Sequence, residues 1–110
     1  MKNYTTKFIA LAKELSFEPE HLLASLKGTP PFELWIQFGE AMAFFESNEE
    51  KFTPDEAAII RDLDSFIADL PPEPDDHWKE TSVRNALWEE TRARVGRAIV
   101  ELQALNQTAP

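Results

Sequence analysis

Apolar residues recur at spacings of three and four along most of the chain, which is the period of an amphipathic helix. A first helix is predicted over residues 3–15. Its apolar face consists of Tyr4, Phe8, Leu11 and Leu15. A second, shorter helix is predicted over residues 19–27, where Pro19 suits the first helical position and Gly28 follows the end. The chain lacks clear period-two alternation, so the pattern predicts an all-α fold.

The third predicted helix, over residues 31–46, is apolar around most of its circumference. Its only clear polar stripe consists of Glu33, Gln37 and Glu40. A helix of this kind is buried on several sides, so we place it at the centre of the fold. The fourth helix begins with a capping box between Thr53 and Glu56 and continues to about Asp69.

An acidic, proline-rich linker over residues 71–77 separates these helices from the last one. The last helix is predicted to begin at about Lys79 or Ser82 and to end at Leu105, with a frayed tail over residues 106–110. The chain of 110 residues is thus expected to form a single domain, 1–110, as a compact bundle of four to five helices with a central apolar third helix.

Composition excludes several classes of protein. There are 20 acidic and 11 basic residues, giving a formal net charge of −9, whereas proteins that bind nucleic acid directly carry a basic patch. Cysteine is absent, which excludes disulfides and thiolate chemistry. No apolar run approaches the roughly 20 residues that cross a membrane. The apolar run over residues 8–12 is shorter than the about 7–15 residues of a secretory signal, so we expect a cytoplasmic protein.

The charge is unevenly distributed along the chain. Residues 14–76 contain 16 acidic residues but only Lys27, Lys51 and Arg61 as basic ones, whereas four of the five arginines lie on the last helix. The leading hypothesis is a small non-catalytic interaction protein, of inhibitor, immunity or adaptor type, whose acidic face binds a basic protein partner. A solvated face that only maintains solubility is the alternative. The candidate partner-binding residues are Glu46, Glu49, Glu50, Asp55, Asp62, Asp69, Glu73, Asp75 and Asp76.

A second hypothesis is a homodimeric structural protein that uses the last helix. Its candidate contact residues are Trp88, Arg92 and Arg94, because tryptophan and arginine are typical interface anchors. Packing of Trp88 beneath a neighbouring helix is the alternative. Glutamates and arginines on this helix are also spaced for intrahelical ion pairs. These pairs are Glu80 with Arg84, Glu90 with Arg94, and Arg97 with Glu101.

The sequence contains no motif that indicates catalysis, so we expect no enzyme, no cofactor and no metal site. Glu18 and His21 have the spacing of a di-iron half-site, but the second copy that such a site needs is missing. Asp75, Asp76 and His77, followed by Glu80, suggest a third hypothesis, a metal-dependent enzyme that works with carboxylates. Their spacing matches no calcium loop, and capping of the last helix by Asp75 or Asp76 is the alternative.

Overall fold

Helices account for most of the residues that the computed structural model describes, which are 3–29, 31–70 and 83–108. The α-helices within these ranges are α1 (Asn3–Ala12), α2 (Pro19–Leu26), α3 (Phe32–Ser47), α4 (Pro54–Ala68) and α5 (Ala86–Thr108). Two short 3₁₀ turns, Lys13–Ser16 and Glu49–Lys51, follow α1 and α3. No strand occurs among the described residues, so the predicted all-α fold is confirmed. The predicted linker, residues 71–77, lies outside them.

The start of α4 confirms the predicted capping box. Thr53 Oγ1 accepts a hydrogen bond of 3.1 Å from the backbone N–H of Glu56, and Glu56 Oε1 accepts one of 2.7 Å from the N–H of Thr53. Pro54 occupies the first helical position, where its missing N–H costs nothing. These local interactions satisfy two backbone donors that the first turn of a helix leaves without partners.

The end of α2 is formed by two consecutive residues with positive φ. Lys27 has φ 52° and ψ 44°, and its N–H donates to the carbonyl of Leu23 at 3.2 Å. Gly28 follows with φ 89°. The prediction of glycine just beyond this helix is therefore right, but the left-handed cap residue itself is a lysine, for which this conformation is strained.

The start of α5 corrects the prediction, because the helix begins at Ala86 rather than at Lys79 or Ser82. Asn85 precedes it, and its Oδ1 accepts a hydrogen bond of 2.9 Å from the backbone N–H of Trp88. Asparagine is a strong N-cap residue, so the capping expected from Asp75 or Asp76 is provided by Asn85 instead. At the other end, α5 continues to Thr108, beyond the predicted limit at Leu105.

A single core lies between the helices. α1 packs on α3, and α5 packs on both α4 and the 3₁₀ turn Lys13–Ser16. The largest fully buried side chains include Trp88, Phe8, Phe45, Ile60 and Leu102. Edge-to-face aromatic pairs, with ring centroids 6.5 Å apart for Phe8 and Phe38 and 5.0 Å apart for Phe45 and Phe52, fill the space around α3.

α3 buries one face, not several. The inward-facing residues are Leu34, Phe38, Ala41, Met42 and Phe45. Trp35 and Ile36, in contrast, are 37% and 42% exposed. The expectation that α3 is buried on several sides is therefore wrong. Its apolar composition indicated burial, but its main packing is with α1 alone, which covers one side of the helix.

Candidate functional site

The end of α3 carries three exposed carboxylates from the predicted partner-binding set. Glu46 lies in the last turn of α3, and Glu49 and Glu50 form the 3₁₀ turn that follows. We call these three residues the acidic cluster. The last turn of α3 contains no basic residue. Because the C-terminal end of a helix is the negative end of its dipole, carboxylates there are electrostatically unfavourable. The cluster therefore adds to a potential that is already negative.

The acidic cluster is only partly compensated. Arg61 of α4 forms a salt bridge with Glu49, and its guanidinium lies over the ring of Phe45, 5.5 Å from the centroid. Lys51 is exposed at the end of the same 3₁₀ turn. Within the part of the chain that the structure describes, no ion pair involves Glu46 or Glu50. These two carboxylates are exposed to solvent and available to an external partner.

One residue of the predicted acidic row on α4 lies beside two arginines of α5. Asp55, Asp62 and Asp69 are all exposed, at the seven-residue spacing that places them along one side of the helix. Asp62 shares the lining of one pocket with Arg94 and Arg97. The negative potential of the row is therefore offset at Asp62. Sequence reasoning missed this juxtaposition because only the packing of α4 on α5 brings the two charge patterns together.

The remaining predicted carboxylates, Glu73, Asp75 and Asp76, lie outside the described residues, as does His77. Among the residues that are described, no group of three or more histidine, cysteine or acidic side chains is placed to hold a metal ion. His21 is instead stacked on Phe17, with the ring centroids 4.1 Å apart and the planes 3° from parallel. This stacking occupies one face of the imidazole.

Two of the three predicted dimer-contact residues belong to the interior. Trp88 has no exposed surface, and Arg92 is 9% exposed. Arg92 Nε donates to the carbonyl of Phe17 at 2.7 Å, and its terminal nitrogen donates to the carbonyl of Val83 at 2.9 Å. A surface contact through Trp88 and Arg92 is therefore incompatible with the folded chain. The large apolar indole of Trp88 packs in the core. The guanidinium of Arg92 links α5 to the backbone at Phe17 and at Val83.

Arg94, the third residue of that set, is exposed. Its guanidinium lies 3.6 Å from Glu90 and 4.6 Å from the ring centroid of Phe66, so the predicted Glu90–Arg94 ion pair is confirmed. Arg84 precedes α5 and pairs with Glu20 of α2 at 2.9 Å. This hydrogen bond, reinforced by the charge of Arg84, lowers the pKa of the Glu20 carboxyl below its ordinary value of 4.5. Arg97 and Glu101 form no ion pair with any described residue.

A solvent-open groove runs between α4 and α5. It consists of two adjoining pockets of about 410 and about 550 Å³ that share Ala58, Ile59 and Glu101. We call it the α4–α5 groove. Its charged lining residues are Asp55, Asp62, Arg94, Arg97 and Glu101, and its apolar lining residues are Ala58, Ile59, Leu63, Ala98, Ala104 and Leu105. From Arg94 to Leu105, eleven helical rises span about 16 Å, which is three turns of helix.

The fold defines the class of protein as a small all-α bundle. Of the helices within the described residues, none is both long and apolar enough to span a membrane. The chain matches no protein-family model, no curated protein and no solved structure with which it was compared. The argument for function therefore depends on the chemistry of the acidic cluster and the α4–α5 groove.

Proposed function

We propose that the protein is a non-catalytic interaction domain that binds a basic protein partner through the acidic cluster, Glu46, Glu49 and Glu50. The observation that carries this proposal is the placement of exposed carboxylates at the negative end of α3, where no basic residue shares the last turn. An inhibitor or adaptor that acts by occupying a basic surface of its target likewise needs exposed carboxylates without basic neighbours.

The position of the cluster favours a binding role over a purely solubilising one. Solubility is served equally well by acidic residues at the start of a helix, where the dipole stabilises them, as Asp55 does in α4. At the end of α3 the same charges lower the stability of the helix. A basic partner would relieve this repulsion on binding, so the local cost in stability becomes a gain in affinity.

The rest of the molecule supports long-range attraction of such a partner. The formal net charge is −9, so a basic protein is drawn towards the domain before contact. Asp69 adds an exposed carboxylate at the end of α4. Asp55 and Asp62 extend the surface, but Arg94 and Arg97 of α5 line the same pocket as Asp62 and reduce its contribution. We therefore assign the leading role to Glu46 and Glu50.

Affinity capture with charge-reversed variants tests the proposal. The test variant is Glu46→Lys with Glu50→Lys, and the control is Glu33→Lys with Glu89→Lys, which changes the net charge equally at exposed positions elsewhere. Wild type and control are expected to capture the same basic proteins from an extract of the native organism. The test variant should lose them, and so should the wild type at high salt, which screens exposed charges.

Two outcomes would contradict the proposal. If the test variant captures the same proteins as the wild type, the acidic cluster is not the binding surface. If the control loses them as completely as the test variant does, net charge rather than this surface drives the association. Helical circular dichroism of each variant verifies that the fold is retained.

A further inference from the structure

We infer that the outward-facing side of α3 receives an amphipathic helix of the partner, in which lysines or arginines flank an apolar stripe. The inference rests on the proposed function and deepens it, because it names the part of the basic partner that the domain recognises. We call this surface the outer face of α3 and define it by Trp35, Ile36, Gly39 and Ala43, which are all exposed.

The outer face of α3 is apolar although it is exposed. Trp35 and Ile36 are two of the three large apolar side chains that are exposed in the described part of the chain. The ring of Trp35 is stacked on that of Phe32, with the centroids 5.4 Å apart, which holds the indole in place before a partner binds. Less entropy is then lost on binding. Tryptophan is also among the residues that contribute most to protein interfaces.

Gly39 provides an independent observation. It lies in the middle of α3, where glycine lowers the stability of a helix relative to alanine. Beyond the adjacent backbone of α3, a Cβ at this position would meet no atom of the described chain within 4 Å. The packing of this chain therefore does not require glycine here. The close approach of an external backbone would account for it, because only glycine leaves that space empty.

The shape of the outer face suits a second helix. From Trp35 to Glu46, eleven helical rises span about 16 Å, which is three turns. Gly39 and Ala43 form a low region along this length, over which the side chains of another helix can pack. An extended peptide, in contrast, binds by adding a strand to the edge of a sheet, and no strand occurs among the described residues.

The charges beside the outer face select a basic helix. At about 100° of rotation per residue, Glu40 lies on one side of Gly39 and Ala43, and Glu46 lies on the other. Both carboxylates are exposed, and neither forms an ion pair with a described residue. α3 contains no lysine or arginine that could neutralise them. Because Glu46 also belongs to the acidic cluster, the two surfaces are continuous, and basic side chains on both flanks of a partner helix would complement them.

Other occupants fit these charges less well. A second copy that docked through its own α3 would bring carboxylates against carboxylates, since the helix has no basic residue. A membrane surface rich in anionic lipid would be repelled by the same carboxylates. A basic amphipathic helix is the occupant that satisfies both the apolar stripe and its acidic flanks.

Isothermal titration calorimetry with designed peptides tests the inference. The probe peptide consists of leucine, alanine and lysine, is about five helical turns long, and has leucines on one face with lysines on both flanks. A shuffled peptide has the same composition without an apolar face, and a third peptide has glutamate in place of lysine. The wild type is expected to bind the probe at least about tenfold more tightly than the shuffled peptide, and not to bind the glutamate peptide.

Gly39→Gln is the decisive variant, because it adds bulk to the outer face without changing the charge. It should abolish the preference for the probe over the shuffled peptide. Its midpoint of thermal unfolding should stay at or above that of the wild type, since glutamine favours helix more than glycine does. Ser65→Gln, at an exposed position on α4, is the matched control and should keep the preference. Trp35→Ala should also reduce the preference, whereas Val100→Ala, at an exposed position on α5, should not.

The inference and the proposed function fail in different ways. Equal binding of the probe and the shuffled peptide by the wild type would overturn the inference and leave the acidic cluster in place. A Gly39→Gln protein that keeps the preference would also overturn it, because the probe would then bind elsewhere. If Glu46→Lys with Glu50→Lys binds both lysine peptides as tightly as the wild type does, the acidic cluster is refuted instead.

Two further results would assign the outer face of α3 to another occupant and overturn the inference. One is a wild type that binds none of the peptides but binds vesicles of uncharged phosphatidylcholine, which would indicate a membrane surface. The other is a wild-type dimer, detected by light scattering, that Gly39→Gln converts to a monomer, which would indicate a second copy of the chain.

Discussion

The hydroxyl of Thr5 in α1 donates a hydrogen bond of 2.6 Å to Oε2 of Glu56, 51 residues further along the chain in α4. Glu56 is 1% exposed, and its other carboxylate oxygen accepts from the backbone N–H of Thr53. One buried side chain thus completes the capping box of α4 and joins that helix to α1. Burial of a carboxylate is costly without such donors.

Replacing Thr5 with valine should lower the free energy of unfolding by about 1–3 kcal/mol, because the near-isosteric side chain removes one donor from a buried carboxylate. Chemical denaturation measures the change. Ser65→Ala, at an exposed position on α4, is the control and should stay within about 0.5 kcal/mol of wild type. A Thr5→Val protein as stable as this control would show that the hydrogen bond makes no net contribution.

Replacing Arg92 with methionine should also destabilise the fold, by about 1–3 kcal/mol. The methionine keeps most of the apolar stem, but the carbonyls of Phe17 and Val83 lose their donors. The cost of burying a charge is relieved at the same time, which limits the loss. Denaturant titration measures it, with the exposed Lys13→Met as the control. Equal stability of Arg92→Met and wild type would mean that the free-energy cost of desolvating the guanidinium equals the stabilisation from both hydrogen bonds.

The pair between Glu20 and Arg84 should be visible in a titration of the carboxyl group by NMR. The hydrogen bond from Arg84 lowers the pKa of Glu20 in the folded protein below 4.5, so the pair stabilises the fold above that pH. The stabilisation is lost as the pH falls through the lowered folded-state pKa. In Arg84→Ala the midpoint of Glu20 should move upward, towards 4.5. An unchanged midpoint would contradict the assignment of the shift to Arg84.

Replacing Lys27 with glycine should raise the free energy of unfolding by about 0.5–1 kcal/mol, since glycine adopts the left-handed conformation without the steric cost of a Cβ. The backbone of Lys27, at φ 52°, already has the geometry that glycine favours at a helix end. Thermal unfolding measures the gain. Lys27→Val should instead lower stability, because a β-branched side chain is poorly tolerated at positive φ. A glycine variant less stable than wild type would contradict this account.

Local patterns in the sequence predict the helices and their ends wherever the determining residues are neighbours. The capping box of Thr53 and Glu56 and the end of α2 before Gly28 are confirmed because they depend on residues within one turn of each other. The predicted start of α5, at Lys79 or Ser82, lies seven or four residues too early, because the helix begins at Ala86. Several residues before Ala86 are compatible with a cap, and Asn85 is the one that is used.

The sequence by itself determined that the fold is helical, which residues form the apolar stripes, and that Asp55, Asp62 and Asp69 share one side of α4. Only the tertiary structure decided that α3 leaves Trp35 and Ile36 exposed, that Trp88 and Arg92 are interior, and that Arg94 and Arg97 lie beside Asp62. The physical reason is the distance along the chain between the groups that interact. Helical periodicity and capping arise from groups a few residues apart, whereas burial and the pairing of charges between helices depend on packing of segments distant in the chain.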